Sequence, residues 1–165
     1  MPEKQTMIRA RNAKRQGKWP STQSGEFVRE EMHHIRQGKH GARSTKQAIA
    51  IGLSKARRAG IDLPPPKQGR VSENTRRKAK RDYENGRRGD IKAAPRRSRA
   101  MERVLRREGR RAASKKALSR QARSASRRRT RIERSAAARQ AAKTKGRRGR
   151  CIAARKPART RARRA

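Results

Sequence analysis

The chain has 165 residues, 53 of them Lys or Arg against 12 Asp or Glu, for a formal net charge of +41; hydrophobic residues make up 30% and charged residues 39%. That balance excludes one close-packed core along the whole length, because too little apolar surface is present to offset the entropy of ordering the chain. It also excludes a membrane span, which needs about 18 consecutive apolar residues, and the single cysteine, Cys151, excludes a disulfide framework.

Residues 1–19 read as a basic N-terminal arm, with a frayed helix around Met7, Ile8 and Ala10 that Trp19-Pro20 ends. No hydrophobic signal core follows Met1, so the expected compartment is a reducing cytoplasm. Ser21 can N-cap a helix over 22–37 that stops at Gly38. Its Val28, Met32 and Ile35 recur at i, i+4, i+7, and Phe27 widens the stripe.

After a loop at 39–43, Ser44-Thr45-Lys46-Gln47 fits a capping box. It predicts a helix to about Ala59, with Gly60 as a left-handed stop. Gly52 costs about 1 kcal/mol in a helix interior relative to Ala, and a close neighbouring backbone would account for it. The two helices form an αα-hairpin over 20–63, with Phe27, Val28, Met32 and Ile35 against Ile49, Leu53 and Ala56. So small a core is marginal by itself and calls for the N-terminal helix, self-association through the hairpin, or a bound polyanion.

Three prolines at 64–66 open a basic linker, 64–108. It holds a helix capped by Ser72 and ending near Asn85-Gly86, with Ala79 and Tyr83 as contacts, and another over 99–108. The remaining 109–165 carry 23 Lys/Arg and one acid, Glu133, a net +22 in a third of the chain. Within this tail 134–149 aligns without gaps to 150–165 at eight identical positions out of sixteen. The expected architecture is therefore all-α: a small helical hairpin core, further isolated helices and a largely disordered basic C-terminal tail.

Ala and Arg both favour helix, so charge repulsion is the tail's main obstacle, and phosphates would relieve it. As one continuous helix the tail would place a cation every roughly 3.7 Å of axis, against one phosphate charge per about 1.7 Å of duplex DNA. The expected partner is nucleic acid, double-stranded DNA first. Duplex RNA offers the same charge pattern, and a protein-binding hairpin with a merely solubilising tail is the third reading. The expected contacts are Arg127, Arg128, Arg129, Arg131, Arg139, Lys143, Lys145, Arg147, Arg148, Arg155, Arg159, Arg161, Arg163 and Arg164. With Trp19, Phe27 and Tyr83 the only aromatics, base stacking is not the expected mode.

The loop before Ser44 offers a second phosphate site, Lys39, Arg43, Ser44 and Lys46 at a helix N-terminus. Its spacing does not fit a P-loop, and the inter-helix connection is too long for a helix-turn-helix reader. His33, His34 and His40 are expected on the surface, with no metal site and no cofactor. Cys151 sits among cations that favour its thiolate, without partners for catalysis. No nucleophile-base set or paired-carboxylate pattern emerges, so an enzyme is not expected.

Residues 44–60, S-T-K-Q-A-I-A-I-G-L-S-K-A-R-R-A-G, together with Gly25-Glu26-Phe27-Val28-Arg29-Glu30-Glu31-Met32, resemble a bacterial family of small basic proteins of unknown function. The resemblance spans about 20–66 and implies a bacterial source and a recurrent two-helix core, with no activity to carry over. The tail is similar in composition to histone-like tails. Together these readings lead to an expected nucleoid-associated, histone-like protein in the bacterial cytoplasm.

Overall fold

The structure is a computed structural model that describes residues 2–89 and 95–162, of which 95, 97 and 156–162 are described as backbone only. Among the described residues every regular element is helical, in agreement with the all-α expectation. The chain divides into two compact units, 1–121 and 122–165.

In the first unit, α1 (Lys4–Arg15) buries Thr6, Ala10 and Ala13, spaced i, i+4, i+7 along one face. These are small side chains, so the helix can dock closely. Ile8, expected as part of its apolar side, is instead 47% exposed. α2 (Pro20–Arg36) starts one residue before the expected cap, because Pro20 at the first helical position has its φ already set and no N–H to leave unpaired. Ser21 thus lies inside the helix, where its carbonyl accepts from the Ser24 hydroxyl at 3.0 Å. The predicted stop holds, with Gly38 at φ 77°.

α3 (Thr45–Arg58) begins as its sequence dictates. The Gln47 N–H donates to Ser44 Oγ at 3.2 Å, and the Gln47 side chain accepts from the Arg43 N–H at 2.8 Å. Gly60 follows in the left-handed region at φ 79°. The face α3 turns to α2 is made of small residues, Ala48, Gly52 and Ala56 at i, i+4, i+8. A Cβ on Gly52 would stand 2.7 Å from the Val28 Cα, so the expected close approach is present. Phe27 packs with Ala10 and Ala56, while Met32 and Ile35 pack with Ala48, Val28 and Ile49. Leu53, expected in this contact, is only half-buried at its edge.

The hairpin does not stand alone. Beyond the docking of α1, α4 (Glu73–Arg88) packs on α3 with its Ser72 cap as predicted. The expected stop at Gly86 is a packing glycine instead, since a Cβ there would collide with the Arg57 carbonyl. The helix runs on to a left-handed Gly89. Arg57 is buried and donates to the carbonyls of Leu63 at 3.1 Å and Pro64 at 3.4 Å, tying the proline segment to α3. Burial pushes its guanidinium below the ordinary range, with Asp82 opposing.

α5 (Pro95–Arg106) buries Leu105 alone among its large apolar residues, leaving Met101 and Val104 more than half exposed. A short 3-10 turn, Arg111–Ala113, then enters the core. Ala112 and Ala113 are buried beside Met32, Ile35 and Ala48, and Leu118 packs against the same cluster. The Ala112 carbonyl accepts from Thr45 Oγ1 at 2.7 Å, and the Ala113 carbonyl from Arg36 Nε at 2.8 Å. The stretch around 109–118, read from composition as coreless tail, thus contributes to the core. α6 (Lys115–Arg127) spans the division between the units.

The second unit is carried mainly by α7 (Arg131–Ala162), which is interrupted at Gly146, φ 63° and ψ 179°. The Ala/Arg tail, expected to be largely disordered until phosphates relieve its repulsion and helical once they do, takes the helical form here. Its described side chains nevertheless include no buried residue, so the helix has no core behind it.

Candidate nucleic-acid interface

The tail helix is started by its only acid. The Glu133 N–H donates to Thr130 Oγ1 at 3.1 Å and the Thr130 N–H to Glu133 Oε2 at 2.9 Å, a reciprocal capping box. The sequence carries this signal as T-x-x-E at 130–133, which attention to charge alone passes over. With Glu133 spent on the cap, no acid lies among the cations that follow.

Arg127, Arg128, Arg129, Arg131, Arg139, Lys143, Lys145, Arg147, Arg148 and Arg155 are all exposed. At 100° per residue Arg131, Arg134 and Lys145 cluster on one side of α7, and Arg139 and Lys143 fall well round the axis from them. Cations therefore spread over about half of the first arm's circumference rather than forming one narrow stripe. Arg159 and Arg161 lie on the α7 backbone with undescribed side chains, and Arg163 and Arg164 lie outside the described residues. A shallow recess on the second arm is lined by Arg147, Arg148, Cys151, Ile152 and Arg155.

The second expected phosphate site is only partly assembled. Arg43 and Lys46 are exposed at the start of α3, but the Ser44 hydroxyl is engaged as the cap and Lys39 Nζ pairs with Glu3 Oε1 at 3.2 Å.

The same region holds a constellation that sequence reasoning missed. His33 is exposed as expected, whereas the side chains of His34 and His40 are 13% and 14% exposed and flank a carboxylate, Glu31, that is 1% exposed. His40 Nε2 is 3.3 Å from Glu31 Oε1, and Lys55 Nζ lies 2.6 Å from Glu31 Oε2 and 3.8 Å from Glu30 Oε1. His40 Nδ1 donates to the Gly41 carbonyl at 3.1 Å, and His34 Nε2 donates to Glu3 Oε1 at 2.8 Å. The His34 bond, followed by that of Lys39, holds the Glu3 carboxyl below its usual value of 4.5. Half of this cluster was legible, since Glu31 and His34 lie i, i+3 on α2; His40 arrives only through the turn at Gly38.

Cys151 is an exposed free thiol. No helix among the described residues is long and apolar enough to cross a membrane. No curated protein and no solved structure matches the chain. Residues 20–68, which span α2, α3 and the proline segment, match a family described as a family of unknown function (DUF6496).

Proposed function

We propose that this protein binds double-stranded DNA without sequence preference, through phosphate contacts from the tail. The observation that carries the reading is the run of exposed cations on α7. Nine of the 25 residues 131–155 are Lys or Arg, and the one acid among them caps the helix. That is a cation per roughly 4 Å of helix axis, opposite one phosphate charge per about 1.7 Å of duplex. The spread of these groups round the helix suits contact with phosphates on more than one side, and the kink at Gly146 lets two arms follow a curved backbone. No stacking platform is required, in keeping with three aromatic residues in the whole chain.

In a bacterial cell, the source implied by the motif at 46–60, such a protein would sit on the nucleoid and act as a histone-like component. Titration of duplex DNA at several salt concentrations tests the reading. Neutralising about six phosphates would give a slope of log K on log salt near −5. A flat salt response sinks it, and tighter binding of duplex RNA than DNA in direct competition moves the assignment to an RNA-associated protein.

A further inference from the structure

Glu31, His34 and His40 each offer one ligating atom, and these atoms lie within 4.8 Å of one another. Glu31 is the informative member. Its side chain is buried, and neither carboxylate oxygen accepts a hydrogen bond, although Lys55 Nζ lies beside Oε2. Lys55 meets the charge at Oε2, at 2.6 Å, but Oε1 is equally buried and its lone pairs stay costly unless a second positive centre meets them.

The tautomer of His40 sharpens the point. Because a carbonyl oxygen only accepts, the Gly41 bond places the proton of a neutral ring on Nδ1. Nε2 then presents a lone pair to Glu31 Oε1 at 3.3 Å. Two acceptors facing each other repel, so the pair requires a positive centre shared between them: a proton or a metal ion. The surrounding bonds are those of a metal site's outer shell. A backbone carbonyl fixes His40, a carboxylate, Glu3, fixes His34, and an ammonium, Lys55, occupies the second oxygen of Glu31.

We infer that Glu31, His34 and His40 form a binding site for a divalent transition metal, zinc by the chemistry of its donors. Two imidazoles and one carboxylate suit zinc, cobalt or nickel and are too nitrogen-rich for calcium or magnesium. Ligands about 2.0–2.1 Å from a tetrahedral zinc stand roughly 3.3 Å apart; His40 Nε2 and Glu31 Oε1 already do, at 3.3 Å, and the remaining separations close by at most about 1.5 Å on binding. The ion would join the last turn of α2 to the loop after it and, through Glu3, to the start of α1. The site is independent of the tail and stands whether or not the tail binds DNA.

The test uses the full chain carrying Cys151→Ser, to remove the competing thiol, after stripping with a chelator. Calorimetry with Zn²⁺ is expected to give one ion per chain with a Kd on the order of 10 µM or tighter. His34→Ala and His40→Ala should each weaken binding by at least about tenfold, while His33→Ala, one residue away and exposed, should not. Far-UV circular dichroism verifies that each variant is folded. Co²⁺ added to the chain with its histidines intact should give tetrahedral absorption bands and large contact shifts on the ring protons of His34 and His40, with His33 showing only a bystander's smaller through-space shift, a readout that survives any unfolded variant. Absence of Zn²⁺ or Co²⁺ binding below about 100 µM, contact-shifted ring protons on His33, or binding unchanged in both histidine variants would overturn the site, leaving a shared proton between His40 and Glu31.

Discussion

Residues 1–121 hold 35 cations and 11 acids, and residues 122–165 hold 18 cations and a single acid. The two stretches use that charge in opposite ways. In the first, acids meet cations within the fold: Glu26 pairs with Arg9, and Glu30 and Glu31 lie against Lys55. Buried Arg57 is satisfied by main-chain carbonyls. In the second, the one acid caps a helix and the exposed cations around it have no core to pack on. Both stretches stay strongly basic, at net +24 and +17, so what separates them is that the first spends part of its charge on ion pairs within a core and the second spends none there.

Deleting 122–165 is the strongest attack on that contrast. It should lower DNA affinity by about a hundredfold or more at low salt and flatten the salt dependence. The melting transition of the remaining 1–121 should be unchanged by calorimetry. Cutting at 109 instead would remove Ala112, Ala113 and Leu118 from the core and confuse loss of binding with loss of fold. Retained affinity in the shorter chain would place the interface in the first unit.

Within that unit the ion pairs can be broken singly. Lys55→Ala leaves Glu31 facing a buried void without its ammonium, and urea unfolding should show a loss of about 3 kcal/mol. Removing an exposed tail cation such as Arg139 should leave the same transition within about 0.5 kcal/mol. Equal effects would erase the distinction between spent and unspent charge.

Two glycines give a smaller, signed effect. Gly52→Ala gains helix propensity but drives a Cβ into the Val28 backbone, for a net loss of about 2 kcal/mol. Gly25→Ala makes the same chemical change on α2 where nothing lies within 4 Å, and should gain up to about 1 kcal/mol. Thermal unfolding of both variants checks the signs.

What the sequence made readable follows the range of each signal. The Ser44 cap, the Ser72 cap, the stops at Gly38 and Gly60 and the close approach at Gly52 depend on residues within a turn or on a single conspicuous glycine. The role of Ala112 and Ala113 depends on α2 and α3, some seventy residues earlier, and two alanines in a run of Arg and Lys carry no periodic apolar pattern. Gly86 misled for a related reason: a glycine near a helix end reads as a stop, and only the Arg57 carbonyl above it reveals a packing role. The Glu31 cluster was only half legible because adjacent histidines on a helix diverge, and its third member, His40, lies beyond the left-handed turn at Gly38.

The most delicate test concerns how the proline segment is held within the first unit. Tyr83 on α4 donates its hydroxyl to Asp62, just before the prolines. That bond, with the Asp62 charge, pushes the phenol above its ordinary value of 10.0, and Arg87, stacked 5.8 Å from the ring, pulls the other way. A raised phenol pKa means the protonated form is favoured in the folded state. The clasp is thus intact below about pH 10 and is lost as pH rises through the folded value. Tyr83 is the sole tyrosine, so tyrosinate absorbance reports it without overlap. The midpoint should lie above 10 in the parent, fall back toward 10 in Asp62→Ala and climb further in Arg87→Ala. A parent midpoint at or below 10 would mean that the +41 charge of the chain outweighs the local carboxylate.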